Sequence, residues 1–343
     1  MPQLPEQPAA PRTPRTDRRG WAPPGSWAAV LVTLTVLATG LAGSSAAGAD
    51  TAAAAAAVPP TPTGLPTALE GLSGYVPANS CDPRSMPGAL ALGDLLRTTY
   101  PGISYGAARA CGTSPLPTSE HYDGRAIDWF RSVRTPAQKA DAQAALTWLF
   151  AVDSAGNRYA NARRLGVMYI IWNDKIWGSY RTGDRWRPYS TCATHPSAAY
   201  DTTCHRDHVH FSLSWEGAMK RTSYWTRSVA PVDYGPCRAA DLNWAHPYSS
   251  ARTTPCPSYP RVVAPATSSA LHKSLTTYSG MRLRTGSTGP SVRAVQTAVG
   301  ASADGDFGSA TATAVRTWQT RHSLTASGVV YYATWRSLLR ATR

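Results

Sequence analysis

Six cysteines constrain the fold of this 343-residue chain more than any other feature of its sequence. All of them lie between residues 81 and 256, and the sequence contains no C-x-x-C pair. An even number of cysteines in an exported chain predicts disulfides, and the missing C-x-x-C spacing argues against a cysteine zinc site. The sequence alone does not choose among the many connectivities. Our hypothesis is sequential pairing, as Cys81–Cys111, Cys192–Cys204 and Cys237–Cys256.

The N-terminus predicts export. Arginines precede the uncharged run Trp27–Gly43, and Ala47-Gly48-Ala49 fits an A-x-A cleavage site. This layout is typical of a secretory signal peptide, here residues 1–49, and predicts a secreted, extracellular protein. The run is marginal for a membrane span, which needs about 20 apolar residues. A retained anchor is the alternative, so we expect membrane contact only through an uncleaved signal.

The charge indicates the kind of partner. The formal net charge is +14 at pH 7. A basic chain favours an anionic partner, such as nucleic acid, a membrane surface or an anionic cell-wall polymer. An arginine-rich composition without functional meaning is the alternative interpretation.

Composition shifts divide the rest of the chain. Residues 50–72 are rich in Ala, Pro and Thr and predict a disordered linker. Residues 73–256 form the main globular domain, residues 257–280 predict a second linker, and residues 281–343 form a small C-terminal domain.

Hydrophobic periodicity predicts the elements of the main domain. Pro87–Thr99 and Pro136–Val152 have helical spacing, whereas Val167–Trp172 and His208–Trp215 are typical of strands. Asn173-Asp174 predicts a turn that pairs the first strand with Lys175–Tyr180. The predicted fold class is α+β, with a small antiparallel sheet and flanking helices.

The stretch S-E-H-Y-D-G-R-A-I-D contains His121 and Asp128, seven positions apart. On a helix this separation spans about 10 Å, and on one straight strand the two side chains lie on opposite faces. The D-G pair between them favours a two-residue hairpin turn, in which His121 faces Ala126 and Asp128 lies diagonal to His121. In this hairpin Glu120 points away from an ion. The hairpin therefore predicts that both side chains can bind the same metal ion.

The stretch H-R-D-H-V-H-F contains the second candidate group. His208 and His210 share one face of a strand. One of them can bind a metal while the other stands beside it. Together with His121 and Asp128 this gives two histidines and one carboxylate, a set that suits Zn²⁺ and leaves a fourth position for water. The alternative is that these histidines are ordinary polar residues in loops.

These motifs resemble a known superfamily. The pattern S-x-H-x-x-G-x-A-x-D from Ser119 resembles the first zinc motif of the D-alanyl-D-alanine metallopeptidases, which are grouped with lysostaphin-type peptidases and the hedgehog signalling domain. The D-H-V-H run that follows Arg206 resembles the second motif, and Val167–Tyr180 is similar to a strand pair of exported actinobacterial relatives. The resemblance implies that His121, Asp128 and His210 are the zinc ligands.

The same resemblance leaves the catalytic partner open. In one family pattern an acidic residue three positions before the last ligand is the general base, which corresponds to Asp207. In the other, the first histidine of H-x-H assists the transition state, which corresponds to His208. The families that use an acid here commonly have Glu, and His205 has no matching role, so we interpret His205 as a loop residue.

The C-terminal domain resembles a three-helix peptidoglycan-binding domain found on many wall hydrolases. The resemblance rests on L-R-T-G-S-T-G-P-S-V-R-A-V-Q from Leu283, D-G-D-F-G from Asp304 and T-W-R-S-L-L from Thr334. Three apolar stripes predict three short helices around one small core. Many arginines against two aspartates also suit an anionic wall.

Together these features predict an exported, cell-wall-associated zinc peptidase that cleaves peptidoglycan stem peptides or cross-links, as a carboxypeptidase or an endopeptidase. The first alternative is a wall-binding protein with an inert peptidase-like domain. A zinc amidase and a basic exported nuclease are further alternatives. The wall-binding domain argues against the nuclease, so we expect no nucleic-acid partner, and we expect a monomer.

Overall fold

The computed structural model describes residues 57–111 and 119–343, and its strands form one antiparallel sheet. The strand order is β1-β2-β6-β3-β4-β5. The strands are β1 Tyr105–Gly106, β2 Ala126–Phe130, β3 Val167–Trp172, β4 Lys175–Gly178, β5 Arg187–Pro188 and β6 His208–Leu213. The predicted α+β class and the small antiparallel sheet are therefore confirmed.

Helices flank this sheet and dominate the C-terminal part. They are α1 Pro87–Thr99, α2 Pro136–Phe150, α3 Ala160–Leu165, α4 Trp215–Ala218, α5 Ser223–Thr226, α6 Ala270–Tyr278, α7 Pro290–Val299, α8 Ser309–Arg321 and α9 Tyr332–Ala341. Short 3-10 turns occur at Ser179–Asp184, Cys192–Thr194 and Ala198–Tyr200. No described helix is long and apolar enough to span a membrane.

The central strand β6 has two chemically different faces. Val209, Phe211 and Leu213 point into the main core, together with residues of α1 and α2. Because side chains alternate along a strand, His208, His210 and Ser212 occupy the opposite face. The strand ends at Leu213 because Ser214 caps α4, where its Oγ accepts a hydrogen bond from Gly217 N at 3.3 Å.

The turn between β3 and β4 forms as predicted. Trp172 pairs with Lys175 across it. Asn173 and Asp174 have φ of 49° and 65°, the left-handed pair that a tight two-residue hairpin requires. Asn and Asp tolerate this region better than most residues do.

Three disulfides are present with the sequential pairing that we hypothesised. They join Cys81 to Cys111, Cys192 to Cys204 and Cys237 to Cys256. The middle bridge closes the loop that leads into β6.

The segment 57–72 differs from the disordered linker predicted for 50–72. Glu70 is 3 % exposed, and its carboxylate accepts hydrogen bonds from Ser223 N at 2.6 Å and Ser223 Oγ at 2.7 Å. Arg164 Nη2 donates to Pro66 O at 2.8 Å. Carbonyls that cannot pair within a proline-rich segment are instead satisfied by side chains of the helices. Residues 50–56 and the predicted signal 1–49 lie outside the described residues.

The segment 257–280 also differs from a linker, because it contains α6. Leu275 of α6 is fully buried and belongs to one hydrophobic cluster with residues of α7, α8 and α9. The same cluster includes Trp244, Leu242 and Tyr122 of the main domain, and Arg336 forms an ion pair with Asp241 at 2.7 Å. The C-terminal helices are thus packed directly on the preceding domain, within the compact unit Ala54–Arg343.

Candidate metal centre

The hairpin predicted around Asp123-Gly124 does not form, and this prediction is wrong. The segment before β2 is a series of turns, in which Arg125 N donates to Glu120 O at 2.9 Å. Met86 N donates to Gly124 O at 2.9 Å, so this loop pairs with residues before α1 rather than across the D-G turn. A Cβ on Gly124 would lie 2.2 Å from Arg84 O, and φ is +79°. Only glycine fits this approach.

The loop nevertheless brings His121 to Asp128 and His210. In the sheet, Asp128 of β2 lies directly opposite His210 of β6. Asp128 Oδ1 is 2.9 Å from His210 Nδ1 and 3.0 Å from His121 Nε2, and the two nitrogens are 3.1 Å apart. Ligand atoms at about 2.0–2.1 Å from a tetrahedral zinc are about 3.3 Å from one another. The three atoms therefore have nearly the spacing of three zinc ligands.

The tautomer of His121 is set by a backbone carbonyl. Its Nδ1 is 2.7 Å from Ala107 O, and a carbonyl can only accept a hydrogen bond. Nδ1 therefore carries the proton in the neutral ring, and the lone pair of Nε2 points at Asp128 and His210. A hydrogen bond of this kind commonly orients a metal-binding histidine.

His210 has a corresponding set of partners on its other side. Its Nε2 is 2.8 Å from Ser212 Oγ, and the Ser212 hydroxyl donates to Glu120 Oε2 at 3.1 Å. Tyr169 OH donates to the same carboxylate oxygen, and its ring stacks on His210. Because the Ser212 hydroxyl donates to Glu120, its oxygen accepts a hydrogen bond from His210 Nε2–H. The lone pair of His210 Nδ1 therefore points toward Asp128.

Sequence reasoning missed this network. The prediction gave Glu120 no role beyond pointing away from an ion, whereas its carboxylate lies on the far side of His210 and is bonded to Ser212 and Tyr169. Ser212 could have been found, because strand alternation places it on the face of His210. Glu120 and Tyr169 come from a turn and a different strand, and no sequence spacing links them to His210.

The surroundings of the cluster favour an ionised Asp128 and a neutral His210. Burial alone raises the pKa of Asp128, but the adjacent His121 and His210 rings lower it by more, so the carboxylate is ionised. Burial lowers the pKa of His210 and favours the neutral ring. Burial and Glu120 raise the pKa of Tyr169, so its hydroxyl keeps the proton that it donates.

Asp207 and His208 form a separate pair beside the three atoms. His208 Nδ1 is 2.6 Å from Asp207 Oδ1, and His208 Nε2 is 3.4 Å from Asp128 Oδ1. Asp207 therefore bonds the ring nitrogen that faces away from the cluster, whereas Nε2 of His208 faces it. The structure brings all five predicted site residues together.

Two other features of the described residues do not form a metal site of this kind. Asp174 lies near Cys192 and Cys204, but both sulfurs are in a disulfide and offer no thiolate. A cavity of about 770 Å³ lies between α2 and the β3–β4 turn and is lined by Phe150 and Trp172. Trp172 follows Ile171, the cross-strand neighbour of His210, so by alternation this cavity is on the other face of the sheet.

Comparisons with known proteins cover two segments of the chain. Residues 81–200 match the family described as VldE, C-terminal domain. This match includes His121 and Asp128 and ends before His208 and His210. Residues 288–338 match a putative peptidoglycan binding domain, which confirms the prediction for the C-terminal part. No curated protein and no solved structure matches the chain.

Proposed function

We propose that this protein is a zinc-dependent hydrolase that cleaves a peptide bond of peptidoglycan. The observation that carries the proposal is the convergence of three lone pairs. His121 Nε2, His210 Nδ1 and Asp128 Oδ1 lie 2.9–3.1 Å from one another, and the outer partners of both histidines place their ring protons elsewhere. Such a set is unfavourable without a cation between the atoms.

The donor set fits Zn²⁺ better than the hard cations. The two imidazole nitrogens are borderline ligands that suit Zn²⁺, which also accepts a carboxylate oxygen, whereas Mg²⁺ and Ca²⁺ take oxygen ligands. His121, Asp128 and His210 would hold the ion, and three protein ligands leave one coordination position open. Zinc bound there would supply a Lewis acid for a peptide carbonyl and would lower the pKa of water.

His208 is the proton acceptor in this proposal, and Asp207 orients it. With Nδ1–H directed to Asp207, the lone pair of His208 Nε2 faces the cluster and takes a proton from the attacking water. The imidazolium that forms is stabilised by the Asp207 carboxylate. His208 then returns the proton to the leaving amine. Asp207 is assigned the orienting role and not that of the base, because it bonds Nδ1, the ring nitrogen of His208 that faces away from the cluster.

Arg109 supplies a positive charge beside Asp128. Its guanidinium Nη2 is 3.5 Å from Asp128 Oδ2, and its side chain is half exposed. A guanidinium in this place can stabilise developing negative charge on a carbonyl oxygen. The same group can bind a terminal carboxylate, so both a carboxypeptidase and an endopeptidase are consistent with this geometry.

The substrate follows from the C-terminal part. A peptidoglycan-binding domain brings the chain to the wall, where stem peptides and cross-links are the peptide bonds at hand. The cysteines are all in disulfides, which is compatible with an extracellular, cell-wall-associated protein.

The second candidate is a wall-binding protein without catalysis. The observation in its favour is that the family match over residues 81–200 stops short of His208 and His210, while the wall-binding match is present. In that case the histidine cluster has only a structural role.

One experiment separates these functions. The secreted form from Asp50 onward would be analysed for bound zinc and incubated with purified peptidoglycan, beside His210→Ala, Asp128→Asn and the control His195→Ala. We expect one zinc per chain and new free amino groups for the wild type and His195→Ala, and neither for the two ligand variants. Wall binding with no zinc and no products would leave the non-catalytic function.

A further inference from the structure

His205 has no role in the sequence-based prediction, but its ring lies against the second motif. The ring centroids of His205 and His208 are 4.6 Å apart, and those of His205 and His210 are 5.7 Å apart. Phe130, the cross-strand partner of His208, places a second ring 6.5 Å from it. His208 therefore has two aromatic neighbours in addition to its hydrogen bond with Asp207.

The backbone at His205 is held in an uncommon conformation. Its φ is +53°, the left-handed region that a non-glycine residue rarely adopts. His205 O accepts from Asn173 N at 2.8 Å, and Cys204 O accepts from Asp174 N at 3.1 Å. The disulfide from Cys204 to Cys192 fixes the same point. A conformation of this kind persists only where its surroundings determine it, and such positions cluster at functional sites.

The ring of His205 is enclosed without being hydrogen-bonded at Nδ1. Tyr189 packs edge-on at 5.0 Å, and among the described residues the buried Nδ1 has no hydrogen-bond partner. The ring therefore acts on its neighbours through its shape and its packing.

His208 needs such a surface. One hydrogen bond from Nδ1 to Asp207 fixes one atom of the ring, and the Asp207 side chain is 39 % exposed. The ring can still swing about that bond, which would move Nε2 away from the cluster. The ring of His205, tilted against it with the centroids 4.6 Å apart, restricts this movement.

We propose that His205 is a positioning residue, whose ring holds His208 with Nδ1 toward Asp207 and Nε2 toward Asp128. The inference rests on the proposed function only for its kinetic consequence, since His208 is the proton acceptor there. The geometric part concerns His208 alone and is tested without turnover.

The test compares His205→Ala, which removes the ring, with His205→Phe, which keeps a flat ring of similar size. Trp225→Ala, on α5, is the control for loss of a partly buried ring elsewhere. Nitrogen-15 NMR of the histidine side chains in the full secreted chain reports the tautomer of His208. We expect a single Nδ1–H tautomer in the wild type, His205→Phe and Trp225→Ala, and averaged tautomers in His205→Ala.

Kinetics on a purified muropeptide give the second readout. We expect kcat of His205→Ala to fall about 10- to 100-fold with KM nearly unchanged, because a small displacement of a catalytic group costs this much. Zinc content should not change, and His205→Phe should restore the rate. If His205→Ala keeps the single tautomer, or if His205→Phe is as impaired as His205→Ala, the positioning role is wrong. If the wild type does not turn over, the proposed function fails, while the NMR result still decides the role of His205.

Discussion

Ser212 tests whether the hydrogen bonds behind His210 serve a metal ligand. Its side chain is fully buried, with Oγ 2.8 Å from His210 Nε2 and 3.1 Å from Glu120 Oε2. In Ser212→Ala the His210 N–H loses its acceptor, whereas Glu120 keeps the hydroxyl of Tyr169. The variant thus removes the link between His210 and Glu120 without touching a proposed ligand.

Two effects of different size are expected. A buried donor left without a partner costs about 1–3 kcal/mol of unfolding free energy, with or without metal. Loss of an outer-shell partner weakens metal affinity about 10- to 100-fold. Zinc at about 100 times the wild-type Kd stabilises the wild type by about 2.7 kcal/mol, and it would stabilise the variant by only about 0.4–1.4 kcal/mol.

The assay is urea unfolding with zinc and with a chelator, together with a competition titration of zinc affinity. Ser279→Ala is the matched control, because Ser279 is equally buried and also makes two hydrogen bonds, to Thr276 O and from Asn243 N. It should lose stability but keep the full zinc-dependent gain. If Ser212→Ala keeps that full gain as well, or if zinc stabilises neither protein, the reasoning about the metal centre is refuted.

The remaining predictions concern the framework. Replacing both Cys192 and Cys204 by Ala opens a loop of 12 residues, and should lower the unfolding free energy by about 3 kcal/mol in urea titrations. Gly124→Ala should be destabilising by more than about 1 kcal/mol, because φ is +79° and the new Cβ meets a backbone oxygen; an unchanged urea midpoint would contradict this. The hydrogen bonds from Arg134 lower the pKa of Asp201, so this pair stabilises the fold above the unfolded pKa of about 3.9 and the contribution is lost as the pH falls through the folded pKa. Arg134→Gln should therefore flatten the decline of thermal stability below about pH 4, and an unchanged slope would contradict the assignment.

Local patterns predicted the elements that depend on neighbours in sequence. The β3–β4 turn followed from Asn173-Asp174, and the shared face of His208 and His210 followed from alternation along one strand. The α2 helix was predicted to Val152 and ends at Phe150, where Ala151 leaves the helical region with ψ of 149°. Errors of this size are ordinary at helix ends.

Long-range contacts were not accessible in this way. The D-G pair is compatible with a hairpin, but the loop around Gly124 instead pairs with Met86, far from it along the chain. His121 and Asp128 were correctly placed together for a partly wrong reason. Glu120 and Tyr169 meet only because the sheet order puts β6 between β2 and β3.

The predicted linkers show the same limit. A segment rich in Ala, Pro and Thr lacks apolar side chains for a core, so its composition favours disorder. Residues 57–72 are held instead through carbonyl groups, which every residue has and which composition does not reveal. Arg163, for example, donates to Glu70 O at 2.7 Å.

The hydrophobic cluster shared by Tyr122, Trp244 and Leu275 determines which part of the wall the candidate metal centre can reach. A binding domain on a flexible tether lets its partner search a sphere whose radius is set by tether length. Here Tyr122, the residue next to His121, packs in the same cluster as the helices of the peptidoglycan-binding domain. The distance between the wall-binding helices and His121 is therefore fixed by the fold. If the proposed function holds, only those peptides that lie at this one distance and orientation from the bound strand come within reach.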